Sequence, residues 1–278
     1  MEGSIVKKSN AIARCKLSAD SIYEQQLIAL TAARIRCDDE DFFEYEIQLS
    51  EFKKSEDEKT AGSTQALIKK ASKSLMRKVI EIKDGKNWAM YNVFTKVRYE
   101  SEHSAIHVQF HPDLKTHYLD LNKYFTQYPL IEYMSLPSIY SQKLYEMLRS
   151  YDDQQDAVVS VKELHDILQT KSHAQRSYAE FNRRILKPAH KHITELTSLK
   201  YEYEPIKKGR KYAEIRFTFG YKKREKTKAK NQKNDAKKNN DLFKESLKCW
   251  NEKSNQCDSK SQSQKCKICR MAHQRINL

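Results

Sequence analysis

Glycine and proline are scarce, five of each in 278 residues. The glycines (Gly3, Gly62, Gly85, Gly209, Gly220) leave no G-x-x-x-x-G-K-[ST], which excludes a P-loop ATPase. No apolar run approaches the roughly 18–20 residues of a membrane span, and the start, MEGSIVKKSNAIARCKLSAD, has no apolar core of a secretory signal. A cytoplasmic protein without a membrane partner is expected. No acid pair and no Ser/His/Asp order stands out. The nearest approach to the His-hydrophobe-His metal pair of a nicking enzyme is His190-Lys191-His192, with a charged middle residue and on a helix. His103, His107 and His111 would share one strand face, with no carboxylate cluster beside them. No enzyme and no cofactor is expected.

Charge is abundant but segregated. Residues 222–278 hold 17 Lys/Arg against 6 Asp/Glu, a net of +11 out of +15 for the chain. A basic tail alone signals only a general affinity for polyanions. Residues 176–216 carry 11 basic against 5 acidic side chains, a second and more local patch, while residues 38–58 are strongly acidic. A uniformly solvated surface does not account for this.

The chain also repeats itself. SIYEQQLIAL (21–30) and SIYSQKLYEM (138–147) share five of ten positions. From the second copy, Tyr140, Leu144, Met147, Leu148 and Tyr151 fall at helical spacing. Ser160 with Glu163 is a capping box opening a short helix with Val161, Leu164, Ile167 and Leu168 inward. After the polar break KSHAQRS, a third helix, YAEFNRRILKPAHKHITEL, would bury Tyr178, Phe181, Ile185, Ala189, Ile193 and Leu196, with a bend at Pro188. The period then drops from 3.6 to 2. Leu199, Tyr201 and Tyr203 alternate before KKGRK, and Ala213, Ile215, Phe217 and Phe219 after it, as in a β-hairpin with a basic tip.

The first copy reads alike: a helix with Tyr23, Leu27 and Leu30 on one face, a strand and short helix in FFEYEIQLSEFKKS, and a third helix, TQALIKKASKSLMRK. That helix would bury Leu67, Ala71 and Leu75. A hairpin turning at Asp84–Gly85, with the tip KDGKN, and a strand, AIHVQFHP, follow. The expected fold class is α+β: two tandem winged-helix domains, each helix-turn-helix plus β-hairpin, over 10–135 and 136–221. A basic, disordered tail, 222–278, would follow.

The third helix of the second copy puts Arg176, Arg183, Arg184, Lys187 and Lys191 opposite its apolar stripe. In a helix-turn-helix this helix lies in the major groove. Arg can grip guanine and Asn182 adenine in bidentate fashion. A solvated helix face is the bland alternative; the adjacent basic wing (Lys207, Lys208, Arg210, Lys211) favours duplex DNA as partner. In the first copy, Lys69, Lys70, Lys73 and Arg77 suit backbone contacts better than base reading. In the tail, Cys266-x-x-Cys269 with His273 and Cys257 is a candidate zinc set. Its eight-residue spacer fits no common finger and nothing apolar surrounds it, so a reduced, cysteine-bearing basic tail is the plainer reading.

Taken together, IYSQKLYEMLRSY, FNRRILKPAHKHI and YEYEPIKKGRKYAEIRFTF resemble the iteron-binding plasmid replication initiators. YEQQLIALTAARI through LIKKASKSLMRKVIEI resembles their first winged helix. The likeness spans about residues 10–221. It implies monomers on direct repeats in a plasmid origin, melting of adjacent AT-rich DNA, and recruitment of a host replication initiator, helicase and chaperones. It also implies dimers, formed through the first winged helix, that repress the initiator's own gene. Arg183, Arg184 and Lys187 would read bases, and Lys69–Lys73 would meet backbone. A dimeric repressor without a replication role is the alternative.

Overall fold

The computed structural model describes residues 3–220, apart from 18, 37–38, 54–62, 85–86 and 122–123. Strand β1 (Ile5–Ser9) leads into the single turn α1 (Asn10–Ala13), capped by Ser9. Helix α2 (Ile22–Ala32) follows and is buried on every side. The sequence places only Tyr23, Leu27 and Leu30 inward. The difference arises because α2 is central, and its buried polar groups find partners. Glu24 accepts from Lys78 Nζ at 2.6 Å, and Gln26 exchanges two 3.1 Å hydrogen bonds with the Lys53 backbone.

Next come β2 (Tyr45–Gln48), a 3-10 turn (Leu49–Glu51) and α3 (Thr64–Leu75). Helix α3 buries Ala71 and Leu75 as expected, together with Ile68 and Ser72; Leu67 is only half-buried, and Ile68 takes its place in the inward stripe. Strands β3 (Val79–Asp84) and β4 (Asn87–Asn92) form a two-stranded sheet of their own, with a single bridge from Glu81 to Lys16, whereas β5 (Phe94–Glu100) and β6 (Ala105–Phe110) join β2 in the order β2-β6-β5. Helix α4 (Lys115–Tyr118) precedes β7 (Phe125–Pro129), which runs antiparallel to β1 with Val6 opposite Tyr128. Helix α5 (Leu130–Ser135) and helix α6 (Ile139–Arg149) complete this part.

The rest of the described chain is β8 (Asp156–Ser160), α7 (Val161–Leu168), α8 (Ser172–Gln175), α9 (Tyr178–Phe181), a π turn (Asn182–Leu186), α10 (Lys187–Leu196), β9 (Tyr201–Lys208) and β10 (Lys211–Phe219). Helix α8 lies in KSHAQRS, which reads as a polar break, and strand β8 in a stretch the periodicity leaves unassigned. Both are short, and β8 (DAVVS) shows its alternation over five residues only.

The sheet order β8-β10-β9 repeats β2-β6-β5: the first strand of each unit pairs with its last. Two winged helices in tandem therefore stand, with one correction. The wing of the first is β5–β6, turning through residues 101–104, while the β3–β4 hairpin with the KDGKN tip is an addition between helix and wing. Period-2 alternation cannot tell which of two successive hairpins joins the three-stranded sheet. The true wing end carries Glu100, Glu102 and His103. His103 lies in the turn, not on the strand face. Glu100 Oε1 stands 3.0 Å from His103 Nδ1, and Oε2 stands 2.7 Å from His107 Nε2, so a carboxylate does accompany these histidines.

Helix α6 is the joint. Every residue from Ser141 to Arg149 is buried. Tyr128, Tyr133 and Tyr145 pack around it, with ring centroids 5.3–5.4 Å apart about Tyr128. The tail residues Cys257, Cys266, Cys269 and His273 lie outside the described residues.

Candidate nucleic-acid interface

Helix α7 opens at Ser160, whose Oγ accepts the Glu163 N–H at 3.0 Å, and ends at Gln169 in the left-handed conformation (φ 48°). The chain turns through α8 to a second cap, Ser177, whose Oγ accepts the Glu180 N–H at 3.2 Å. Helix-turn-helix geometry results, with His165 of α7 against Phe181 (ring centroids 4.3 Å). Arg176 precedes this cap at the end of α8 and so is not part of the third helix. The extended backbone of Ser177 (φ −157°) breaks the two apart.

The third helix is not one regular rod. Lys187 donates its N–H to the Asn182 carbonyl, an i→i+5 bond. Pro188 has no N–H for the Arg184 carbonyl, and its ring would crowd that carbonyl; the preceding turn opens by one residue instead. This wider turn changes which side chains face in. Ile185 and Leu186 are both buried (2% and 1% exposed), and Leu196, expected inside, is 45% exposed. Arg183, Arg184, Lys187 and Lys191 all face solvent.

Two contacts tie this helix to the wing. Tyr203 Oη on β9 donates to Asn182 Oδ1 at 2.7 Å, and the rings of Tyr178 and Tyr212 lie 4.5 Å apart. Burial, with Tyr203 and Tyr212 nearby, pushes the Tyr178 hydroxyl up to about 12, so it stays a neutral donor at physiological pH. Asn182 is half-buried with its carbonyl oxygen engaged. That hydrogen bond braces Asn182 against the wing; the amide NH2 group takes no part in it. The wing turns at Gly209 (φ 67°), where a side chain would be strained. Lys207, Lys208, Arg210 and Lys211 are exposed around it, with Lys208 Nζ 2.5 Å from Glu214 and Lys207 5.0 Å from the Tyr212 ring centroid.

The sequence missed Glu180. Its carboxylate takes Arg183 Nη2 at 3.0 Å and Arg184 Nε at 2.5 Å. Hydrogen bonds from Arg184 and then Arg183 hold its carboxyl below the usual carboxylate range. The signal was present, since Glu180 stands three and four residues before the two arginines on one helix. His190 and His192 serve the fold: His190 Nε2 lies 2.9 Å from the Tyr201 carbonyl oxygen and His192 Nδ1 2.9 Å from Ser141 Oγ.

On the first winged helix, α3 exposes Lys69, Lys70 and Lys73; Arg77 is exposed in the turn that follows rather than on the helix, which ends at Leu75. Lys69, Lys73 and Arg77 also rim a groove of about 460 Å³ floored by Leu49, Val97, Tyr99 and Ile106.

Both halves match family models. Residues 5–149 match the model described as Initiator Replication protein, WH1, and residues 160–219 the one described as Initiator Rep protein, WH2. The chain belongs to the initiator replication protein family. A solved structure of the Pi initiator protein in complex with iteron DNA shares the initiator fold. It covers 79% of this chain and 98% of its own, with a TM-score of 0.61 at 18% identity. No curated protein matches. Among the described residues no helix is long and apolar enough to cross a membrane.

Proposed function

We propose that this initiator binds short direct repeats, iterons, in a plasmid origin, and that the α9–α10 helix reads them in the major groove. The observation that carries the reading is one continuous basic surface. It comprises Arg183, Arg184, Lys187 and Lys191 on the helix, continued by Lys207, Lys208, Arg210 and Lys211 on a wing braced to it by Tyr203–Asn182 and Tyr178–Tyr212. A braced helix and wing enter the groove without first being ordered, which favours specific binding. The neighbouring structure of Pi with iteron DNA has the same fold, which supports the DNA class.

Base reading falls to Arg183 and Arg184 with Lys187; the wing, Arg176 and Lys191 meet phosphates. Lys69, Lys70 and Lys73 of α3, with Arg77 in the turn after it, touch the backbone of an adjacent turn. The acidic end of the first wing suits no phosphate, so that domain contributes little sequence discrimination. Domain roles follow: 10–135 for self-association and backbone contacts, 136–221 for sequence, 222–278 as a polyanion-binding tail. Self-association has a candidate surface in the groove beside Tyr99, on the edge strand β5. A dimer bound at its own promoter would repress its gene, and monomers on the repeats would open the origin with the host initiator, helicase and chaperones. None of these roles needs catalysis by this chain, and the cytoplasm is where they would be performed.

Footprinting on the DNA flanking its own gene, at near-physiological salt with competitor, tests this. Evenly spaced protection of direct repeats is expected. A single protected inverted repeat would favour a plain repressor, and absence of discrete protection would remove the reading.

A further inference from the structure

The groove-facing arginines are not presented as two independent cations. Glu180, in the first turn of α9, is the least exposed of the three side chains (32%, against 63% for Arg183 and 46% for Arg184), and both guanidinium groups fold back onto it. Side chains on a helix point toward its N-terminus, so residues three and four positions later naturally reach it. The two contacts differ in kind. Arg183 engages the carboxylate edge-on, through Nη2 at 3.0 and 3.1 Å and Nε at 3.3 Å. Arg184 engages it through Nε alone, at 2.5 Å.

That asymmetry matters for DNA. A guanine presents O6 and N7 to a guanidinium fork, and a phosphate presents two oxygens to the same fork. Held by Nε, Arg184 keeps its two terminal Nη groups outside the contact and fixed in direction, a fork already aimed. Arg183 has its Nε–Nη2 edge covered and must leave Glu180 to offer that edge to a guanine or a phosphate. An exposed ion pair is worth only about 0.2–1 kcal/mol, so the release is cheap where a guanine rewards it. Against a random phosphate, the same carboxylate cancels one of the two positive charges.

We infer that Glu180 is a specificity-determining residue: it positions Arg184 for bidentate base reading and withholds Arg183 from phosphates on the wrong sequence. This rests on the proposed reading of α9–α10 as the groove helix. Glu180 is a positioning residue, acting through the two arginines.

The test compares wild type with Glu180→Gln, which keeps size and capping, on the footprinted duplex and on a random duplex across a salt series. Affinity for random DNA should rise about 1.4- to fivefold, with a salt slope steeper by about one phosphate's worth. Affinity for the footprinted duplex should rise less or fall, so that the ratio of the two drops. In an Arg183→Ala/Arg184→Ala background, Glu180→Gln should change neither. An unchanged ratio in the single variant, with wild type still giving a discrete footprint, overturns the inference alone. So does an effect that persists in the double-alanine background, because Glu180 would then touch a base, such as a cytosine amino group, by itself. A wild type without any discrete footprint overturns both this inference and the function on which it rests. Matching thermal melts of wild type and Glu180→Gln establish that folding is not what changed.

Discussion

Lys8 on β1 and Glu146 on α6 are 138 residues apart in the chain and meet in the interior, Nζ to Oε1 at 2.5 Å, with side chains 2% and 7% exposed. Tyr128 of β7 donates its hydroxyl to the same carboxylate oxygen. One buried charge pair thus joins the N-terminal strand, its partner strand and the joint helix.

Removing Lys8 leaves the buried Glu146 carboxylate without its 2.5 Å partner, with Lys143 at 3.9 Å and the Tyr128 hydroxyl still beside it. Lys8→Met should cost about 3–5 kcal/mol, and Lys8→Met with Glu146→Leu should recover much of it, because a buried pair is often replaceable by apolar packing. Urea denaturation midpoints of the two variants decide this. Equal losses would mean that the pair contributes through its charges as a unit.

Acid should weaken the fold at this joint. Burial by itself would raise the Glu146 carboxyl, but Lys8 and Lys143 beside it, and hydrogen bonds from Lys8 and Tyr128, hold it below the usual range. Glu132 is lowered too: burial again opposes, and Tyr145, Ser198 and Arg149 outweigh it. A group with a depressed folded value stabilises fully above its unfolded value, about 4.3 for Glu, and that stabilisation is lost as pH falls through the folded value. Stability should therefore be flat near neutrality and decline below about pH 4.3. A denaturation midpoint that rises between pH 5 and pH 3 would contradict this.

Base reading and phosphate contact should separate in mutants. Arg184→Ala should lower affinity for the footprinted duplex by about 1–3 kcal/mol and leave random DNA nearly unaffected. Changing Lys207, Lys208, Arg210 and Lys211 together to Ala should weaken both duplexes alike and reduce the salt slope by about 0.9 for each phosphate lost. Deleting residues 222–278 should act in the second way. Gel-shift titrations at several salt concentrations distinguish the two patterns.

The π turn makes a stability prediction that a regular helix would reverse. Leu186→Ala should cost about 2–5 kcal/mol as a buried truncation, while Leu196→Ala should stay within about 0.5 kcal/mol. Thermal or urea unfolding of the two variants reads this directly.

Most of the architecture was legible where periodicity is long. The two SIY stretches do open helices of equal length, 11 residues each, and the second wing turns where KKGRK says it should. What escaped was set by partners far away in sequence. Strand β1 exists because β7 pairs with it from more than a hundred residues later, and neither has a pattern long enough to announce itself. Leu186 turned inward because Pro188 altered the helix before it, a local effect visible as a bend but not as a change of face. The basic surface was readable by charge alone. Glu180 reads by charge as mere dilution among bases, although its spacing of three and four residues to the two arginines was in the sequence.

Helix α6 has one more consequence. Each of its residues from Ser141 on is enclosed, so the two winged helices are joined by a packed rod about 16 Å long rather than by a tether. A tether lets two readers settle on sites at many separations. A rod makes the molecule a ruler: on the DNA reading proposed above, the phosphates met by the first winged helix must lie at one fixed distance from the bases read by the second.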